Sequence, residues 1–176
     1  MKFVAIELPE EFPYVILMAV LLAFECLIIG FVAPSIGRKK VFGDSEVEKK
    51  IETLHKQQLN MELRNVKGGY PDMGNGRFST KKMISYKQWL ELNKAQRGHL
   101  NFLEQITIVC TLVLVCGLEM PILAVIFGAL YGIFRCLYFS RNRFIGFIPS
   151  IICQVVLALG ALYSCSTLIQ KANDAL

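Results

Sequence analysis

Four runs of apolar residues, each about as long as a bilayer is thick, leave this chain few folds to choose from. Tyr14 to Val32 is interrupted only by Glu25, and Leu100 to Leu118 carries Asn101 and Glu104 near its start. Pro121 to Phe139 contains Arg135, and Phe144 to Ile169 is the longest run. Crossing a hydrocarbon core takes about 20 predominantly apolar residues in helical form. Backbone at that depth must satisfy its own hydrogen bonds, which leaves helices or a closed barrel. No run shows sustained in/out alternation, so helices are expected. The predicted fold is all-α, an integral membrane four-helix bundle with helices at about 13–35, 97–118, 121–140 and 144–170, forming a single membrane domain. The first run is preceded by Glu7, Glu10 and Glu11 rather than a basic segment and is too long for the apolar core of a secretory signal, so it reads as a true span.

Basic residues orient the spans. Arg38, Lys39 and Lys40 follow the first run directly, most of the remaining Lys and Arg lie between there and Arg97, and Arg141 and Arg143 occupy the turn before the fourth run. The positive-inside rule puts both segments in the cytosol. The net charge of +5 is accounted for by this topology. It gives no reason to expect nucleic acid, because Asp44, Glu46, Glu48, Glu52, Glu62, Asp72 and Glu91 are interleaved with the basic residues.

Residues 37–96 form a cytosolic loop far too long for a simple turn. Ser45-Glu46-Val47-Glu48 reads as a capping box, and Val47, Ile51, Leu54 and Met61 recur at helical spacing, predicting an amphipathic helix over about 45–66. Its expected place is along the membrane surface or over the cytosolic face of the bundle. Gly68-Gly69 should stop it, and Tyr70 to Phe78, with its Pro and Asn-Gly, reads as turns. No Gly-Lys-Ser/Thr follows these glycines, so they are no phosphate loop. Tyr86 and Trp89 are placed as interfacial anchors.

All six cysteines (Cys26, Cys110, Cys116, Cys136, Cys153 and Cys165) lie in apolar runs without metal-ligand spacing, and they read as small buried hydrophobes with no metal site. In the third run Ala124, Gly128, Gly132 and Cys136 recur every four residues, a stripe on which helix backbones approach closely.

Chemistry concentrates at the mouth of the second run. At about 100° per residue, Arg97, Asn101 and Glu104 fall in one narrow wedge of a helix. Ionisable groups at a membrane edge usually face a bundle interior or a wet cavity. A cation, an amide and an anion on one stripe suit both ends of a zwitterionic ligand; an Arg–Glu ion pair locking two helices is the structural alternative. Arg135 and Tyr138, neighbours on the third helix, lie at the same membrane level because helices two and three are antiparallel. Snorkelling of Arg135 and interfacial anchoring of Tyr138 are the corresponding structural alternatives.

Gln96-Arg97-Gly98-His99-Leu100-Asn101-Phe102-Leu103-Glu104 resembles the helix-two signature of the membrane-associated proteins in eicosanoid and glutathione metabolism, the MAPEG family, and Phe134-Arg135-Cys136-Leu137-Tyr138 resembles its helix-three signature. The similarity spans roughly residues 69 to 165, and the microsomal glutathione transferases are the nearest group. The resemblance implies a homotrimer whose glutathione sites lie between subunits and open to the cytosol. Arg97 would bind a glutathione carboxylate, Asn101 and Glu104 other polar groups including the γ-glutamyl amine, and Tyr138 and Arg135 would contribute from helix three. His99, about 200° round the helix from Arg97, would face another helix or the adjacent subunit. Two departures stand out. A second helix-three Tyr of active members is replaced by Asn142, and only Arg141 or Arg143 is left to stabilise the thiolate. Lowering a thiol pKa by two units from about 8.5 takes roughly 2.7 kcal/mol, within reach of one well-placed guanidinium.

The resemblance implies a microsomal-type glutathione transferase or peroxidase acting on lipophilic electrophiles or lipid hydroperoxides delivered by membrane lipid. It also implies a home in the endoplasmic reticulum, with the outer mitochondrial membrane as second choice. A non-catalytic lipid-binding scaffold is the alternative, favoured by Asn142. A channel or transport subunit has little beyond Glu25 in its support.

Overall fold

The computed structural model describes residues 7–43, 45–59, 84–138 and 144–174, and its elements are helices throughout. They are α1 (Phe12–Phe42), α2 (Ser45–Leu59), α3 (Tyr86–Cys116), α4 (Pro121–Leu137) and α5 (Phe144–Asp174). α1, α3 and α5 are each 31 residues and apolar enough to cross a membrane. α4, at 17 residues, rises about 26 Å and sits at the short end of what spans a bilayer. The protein is an integral membrane helical protein. α1 runs on to Phe42 and α3 begins at Tyr86, so both extend well into the segment that the hydropathy pattern alone left polar. α2 starts at Ser45 and is described to Leu59; the expected remainder of that helix and the turn segment from Gly68 to Phe78 lie outside the described residues.

The chain divides into two compact units. The first comprises residues 1–27 and 102–176. Each of its helices buries a stripe at three- and four-residue spacing: Val15, Ala19, Leu22 and Cys26 on α1; Phe102, Ile106, Val109, Val113 and Cys116 on α3; Ala124, Gly128, Tyr131 and Arg135 on α4; and Ser150, Cys153, Leu157, Ala161 and Ser164 on α5. This is the periodicity of helices packed knobs-into-holes. Leu17, Leu21, Phe24, Ile126, Ile133, Ile148, Ile152 and Leu159 stay exposed between these stripes, an inversion that makes sense where lipid is the solvent.

The helix ends are secured locally. Pro121 occupies the first turn of α4, where its missing N–H is not needed. The Cys116 carbonyl at the end of α3 accepts a bond from Ser164 Oγ at 3.1 Å, and Lys171 Nζ reaches Glu119 in the α3–α4 turn at 2.8 Å. α5 enters against the end of α4 at Gly146, where a Cβ would collide with the Tyr138 nitrogen and the Phe134 carbonyl. Glycine is required there by backbone approach.

The second unit comprises residues 28–101. Its core is Val41, Phe42, Val47, Ile51, Ile84 and Leu92, with Trp89 against it. Val47 and Ile51 thus define the buried face of α2, while Glu46, Lys49 and Lys50 are exposed. α3 starts with a reciprocal cap. The Gln88 N–H donates to Ser85 Oγ at 3.2 Å, and the Ser85 N–H donates to Gln88 Oε1 at 2.9 Å. The Tyr86 and Trp89 rings lie 5.4 Å apart on the following turn.

Candidate functional site

α3 is one uninterrupted helix through all of the polar positions singled out on it. Arg97 is exposed, Asn101 half-buried and Glu104 exposed. Neither Arg97 nor Glu104 makes an ion pair or side-chain hydrogen bond among the described residues. Direct pairing would also be geometrically awkward, because seven residues of helix separate them by about 10.5 Å along the axis. The ion-pair alternative therefore finds no support within this chain.

His99 and Gln96 point elsewhere on α3. Within the second unit the His99 imidazole occupies the place that a side chain at position 30 would fill. A Cβ on Gly30 would stand 2.5 Å from His99 Cε1 and 2.9 Å from Nε2. His99 Nδ1 and Gln96 Oε1 are both buried without a hydrogen-bond partner. His99 thus packs against Gly30 of α1 in its own chain.

In the first unit a second polar group has formed around Arg135. Its side chain is 1% exposed. The guanidinium carbon lies 4.9 Å from the Phe102 ring centroid, 5.3 Å from that of Tyr138 and 5.9 Å from that of Tyr131. Arg135 Nη1 donates to Gln105 Oε1 at 3.5 Å, while Nε and Nη2 have no partner. The same Gln105 oxygen accepts from Tyr131 Oη at 3.5 Å and from Gln154 Nε2 at 3.3 Å. Arg135 therefore does not snorkel. It is held inside the unit by aromatic faces, with Nε and Nη2 buried and unpartnered among the described residues.

The structure brings Arg135 and Tyr138 together, as expected from their spacing. Sequence reasoning missed Gln105, Gln154, Tyr131 and Phe102. Two signals were available. Gln154 is an isolated amide in the longest apolar run, and Phe102 and Gln105 share a helix face three residues apart. Arg141, Arg143 and Asn142 lie outside the described residues. All six cysteines are free, and the described residues include no group of three metal-binding side chains.

The model of the MAPEG family matches residues 14–163 of the chain, which takes in all of these positions. No curated protein and no solved structure matches.

Proposed function

The chain belongs to the MAPEG family of membrane proteins in eicosanoid and glutathione metabolism, and from that premise we propose that it is a glutathione transferase or peroxidase. Glutathione lies along the outward face of α3, with Arg97 holding a carboxylate, Asn101 an amide and Glu104 the γ-glutamyl ammonium. The observation that carries this reading is the pair of exposed, unpaired charges at Arg97 and Glu104. Their separation of about 10.5 Å along the helix suits the ligand, since three residues fully extended span at most about 10–11 Å. An ionic ligand of that length satisfies both ends at once.

A second copy of the chain, in a homotrimer, closes the site and contributes the groups that face Arg97 from outside. Arg135 and Tyr138 are buried in the first unit and support α3 through Phe102 rather than touching the ligand, and His99, packed at Gly30, orients the same helix. Arg141 or Arg143 stabilises the thiolate, which then attacks a lipophilic electrophile or a lipid hydroperoxide arriving from the bilayer. The protein's part is orientation and electrostatics around a nucleophile that glutathione brings with it. The cytosolic face of the endoplasmic reticulum is the proposed setting. Asn142, in place of a family Tyr, favours a second reading as a lipid-binding scaffold without turnover.

Ultraviolet difference absorbance of the detergent-purified protein, titrated with glutathione, separates these readings. A saturable thiolate band is the expected result. Arg97→Ala removes a charge-assisted carboxylate contact worth about 2–3 kcal/mol, so affinity should fall roughly 30- to 160-fold with assembly unchanged. Binding by equilibrium dialysis without a thiolate band would select the scaffold. Loss of assembly in Arg97→Ala would restore the structural role for that residue.

A further inference from the structure

Glu25 is absorbed neither by the packing nor by the glutathione reading. It sits inside the apolar half of α1, where a carboxylate is unfavourable unless something uses it. Among the described residues no Lys, Arg or His forms an ion pair with it. One of its oxygens, Oε1, accepts a hydrogen bond from the Cys136 thiol at 3.1 Å. The other lies against Gly132, where a Cβ would stand 2.6 Å from Oε2. The bare α-carbon of Gly132 is thus what lets the carboxylate reach the thiol. Both groups open into a groove of about 390 Å³ whose other lining is apolar, including Met18, Leu21, Ile133 and Leu137. That volume lies within the range of small-molecule sites, about 300–1,000 Å³. Cys136 is exposed, whereas three of the six thiols are buried.

We propose that Cys136 and Glu25 form a nucleophile–base pair that captures lipid-soluble α,β-unsaturated carbonyl compounds directly from the bilayer. A thiol is nucleophilic when its proton is removed, and an adjacent base is one way to arrange this. In an apolar groove a free thiolate beside a carboxylate would be strongly disfavoured, because two like charges would share a dry site. Transfer of the proton to Glu25 as the bond forms avoids that state, since one negative charge is present at every stage. The sulfur bonds to the β-carbon while the carbon–carbon π pair moves toward the carbonyl to give an enolate, and Glu25 takes the S–H proton. Glu25 then returns the proton to the α-carbon, leaving a saturated thioether and a regenerated carboxylate. No oxidant, reductant or metal enters. The apolar wall of the groove accommodates the chain of the electrophile, and the reaction is independent of glutathione.

The test uses the full chain in detergent micelles, without glutathione, exposed to trans-2-nonenal. After reduction with borohydride and proteolysis, mass spectrometry follows adducts at Cys136 and at Cys165. Cys165 is the second exposed thiol and serves as an internal reference. Cys136 should react at least about tenfold faster than Cys165, and Glu25→Gln should slow Cys136 about a hundredfold with Cys165 unchanged, the scale of a positioned general base. Equal rates at the two thiols in the unaltered protein, or an unchanged Cys136 rate in Glu25→Gln, would overturn the proposal. Should Glu25→Gln fail to fold, Gly132→Ala asks the same question, since its methyl pushes the Glu25 carboxylate away from the thiol without removing either group. A drop of about tenfold at Cys136 is then expected, and an unaltered rate refutes the pairing.

Discussion

Gln105→Leu is the substitution that most sharply probes how the first unit tolerates a buried cation. One amide oxygen receives Tyr131 Oη, Arg135 Nη1 and Gln154 Nε2, although a carbonyl oxygen offers two lone pairs. The distances of 3.3–3.5 Å are accordingly long, and each bond belongs at the weak end of its class. Replacing the amide by an isosteric apolar group leaves three buried donors without an acceptor. At about 1 kcal/mol for each such donor, the loss comes to roughly 2–4 kcal/mol. Arg135→Met has a different balance. It forfeits contacts with three aromatic faces, yet removes a buried charge with two unpartnered nitrogens, and such replacements are often near neutral or stabilising. Its expected effect is within about 1 kcal/mol. In the double variant Gln105→Leu strands two neutral donors rather than three, so the combined loss should fall short of the sum by about 1 kcal/mol or more. Reversible unfolding in mixed micelles, driven by sodium dodecyl sulfate and followed by circular dichroism, measures all four corners of this cycle. Strict additivity, or a Gln105→Leu variant within about 0.5 kcal/mol of the parent, would show that the shared oxygen does not hold the cluster together.

Gly146→Ala should destabilise the protein by about 1–3 kcal/mol, because its methyl meets backbone of α4 rather than a movable side chain; the same unfolding assay applies. If the missing second Tyr limits glutathione turnover, Asn142→Tyr should raise the steady-state rate with a model electrophile, and an unchanged rate would remove that explanation.

The helical, membrane-embedded character of the chain was legible because it depends on run length and on the backbone's need for internal hydrogen bonds, both of which are local. Arg97, Asn101 and Glu104 were legible for a related reason: their relation is set by one helix. The lengths of α1 and α3 were not, since their polar extensions are stabilised by packing between residues far apart in sequence, such as Val41 and Phe42 with Ile84 and Leu92. The cluster on Gln105 was hidden in the same way. It joins residues of α3, α4 and α5, and no spacing within any one helix announces that Arg135 and Gln154 will meet at one Gln105 oxygen. Glu25 was visible as an anomaly, but its partner, the thiol of Cys136, lies 111 residues away.

The polar residues of the apolar helices also differ in what they demand of their surroundings. Arg135 has been taken inside and walled with aromatic rings, so the chain itself supplies most of its environment. Glu104 has not. It lies within an apolar run and is exposed on the isolated chain. A carboxylate left facing acyl chains carries a penalty of several kcal/mol, so that face of α3 must meet water, a cationic ligand group or another protein surface. Arg97, one wedge with it and equally exposed, carries the opposite charge and makes the face neutral as a pair while leaving each member unpaired. A neutral, doubly charged strip discriminates against simple anions and simple cations alike. On the proposed function, that selectivity suits a zwitterion long enough to touch both ends, with a neighbouring copy excluding lipid while it binds. The proposed binding and the proposed assembly are therefore tested together by the two charges that the fold leaves uncovered, since Arg97→Ala and Glu104→Gln alter that one face of α3 and nothing buried.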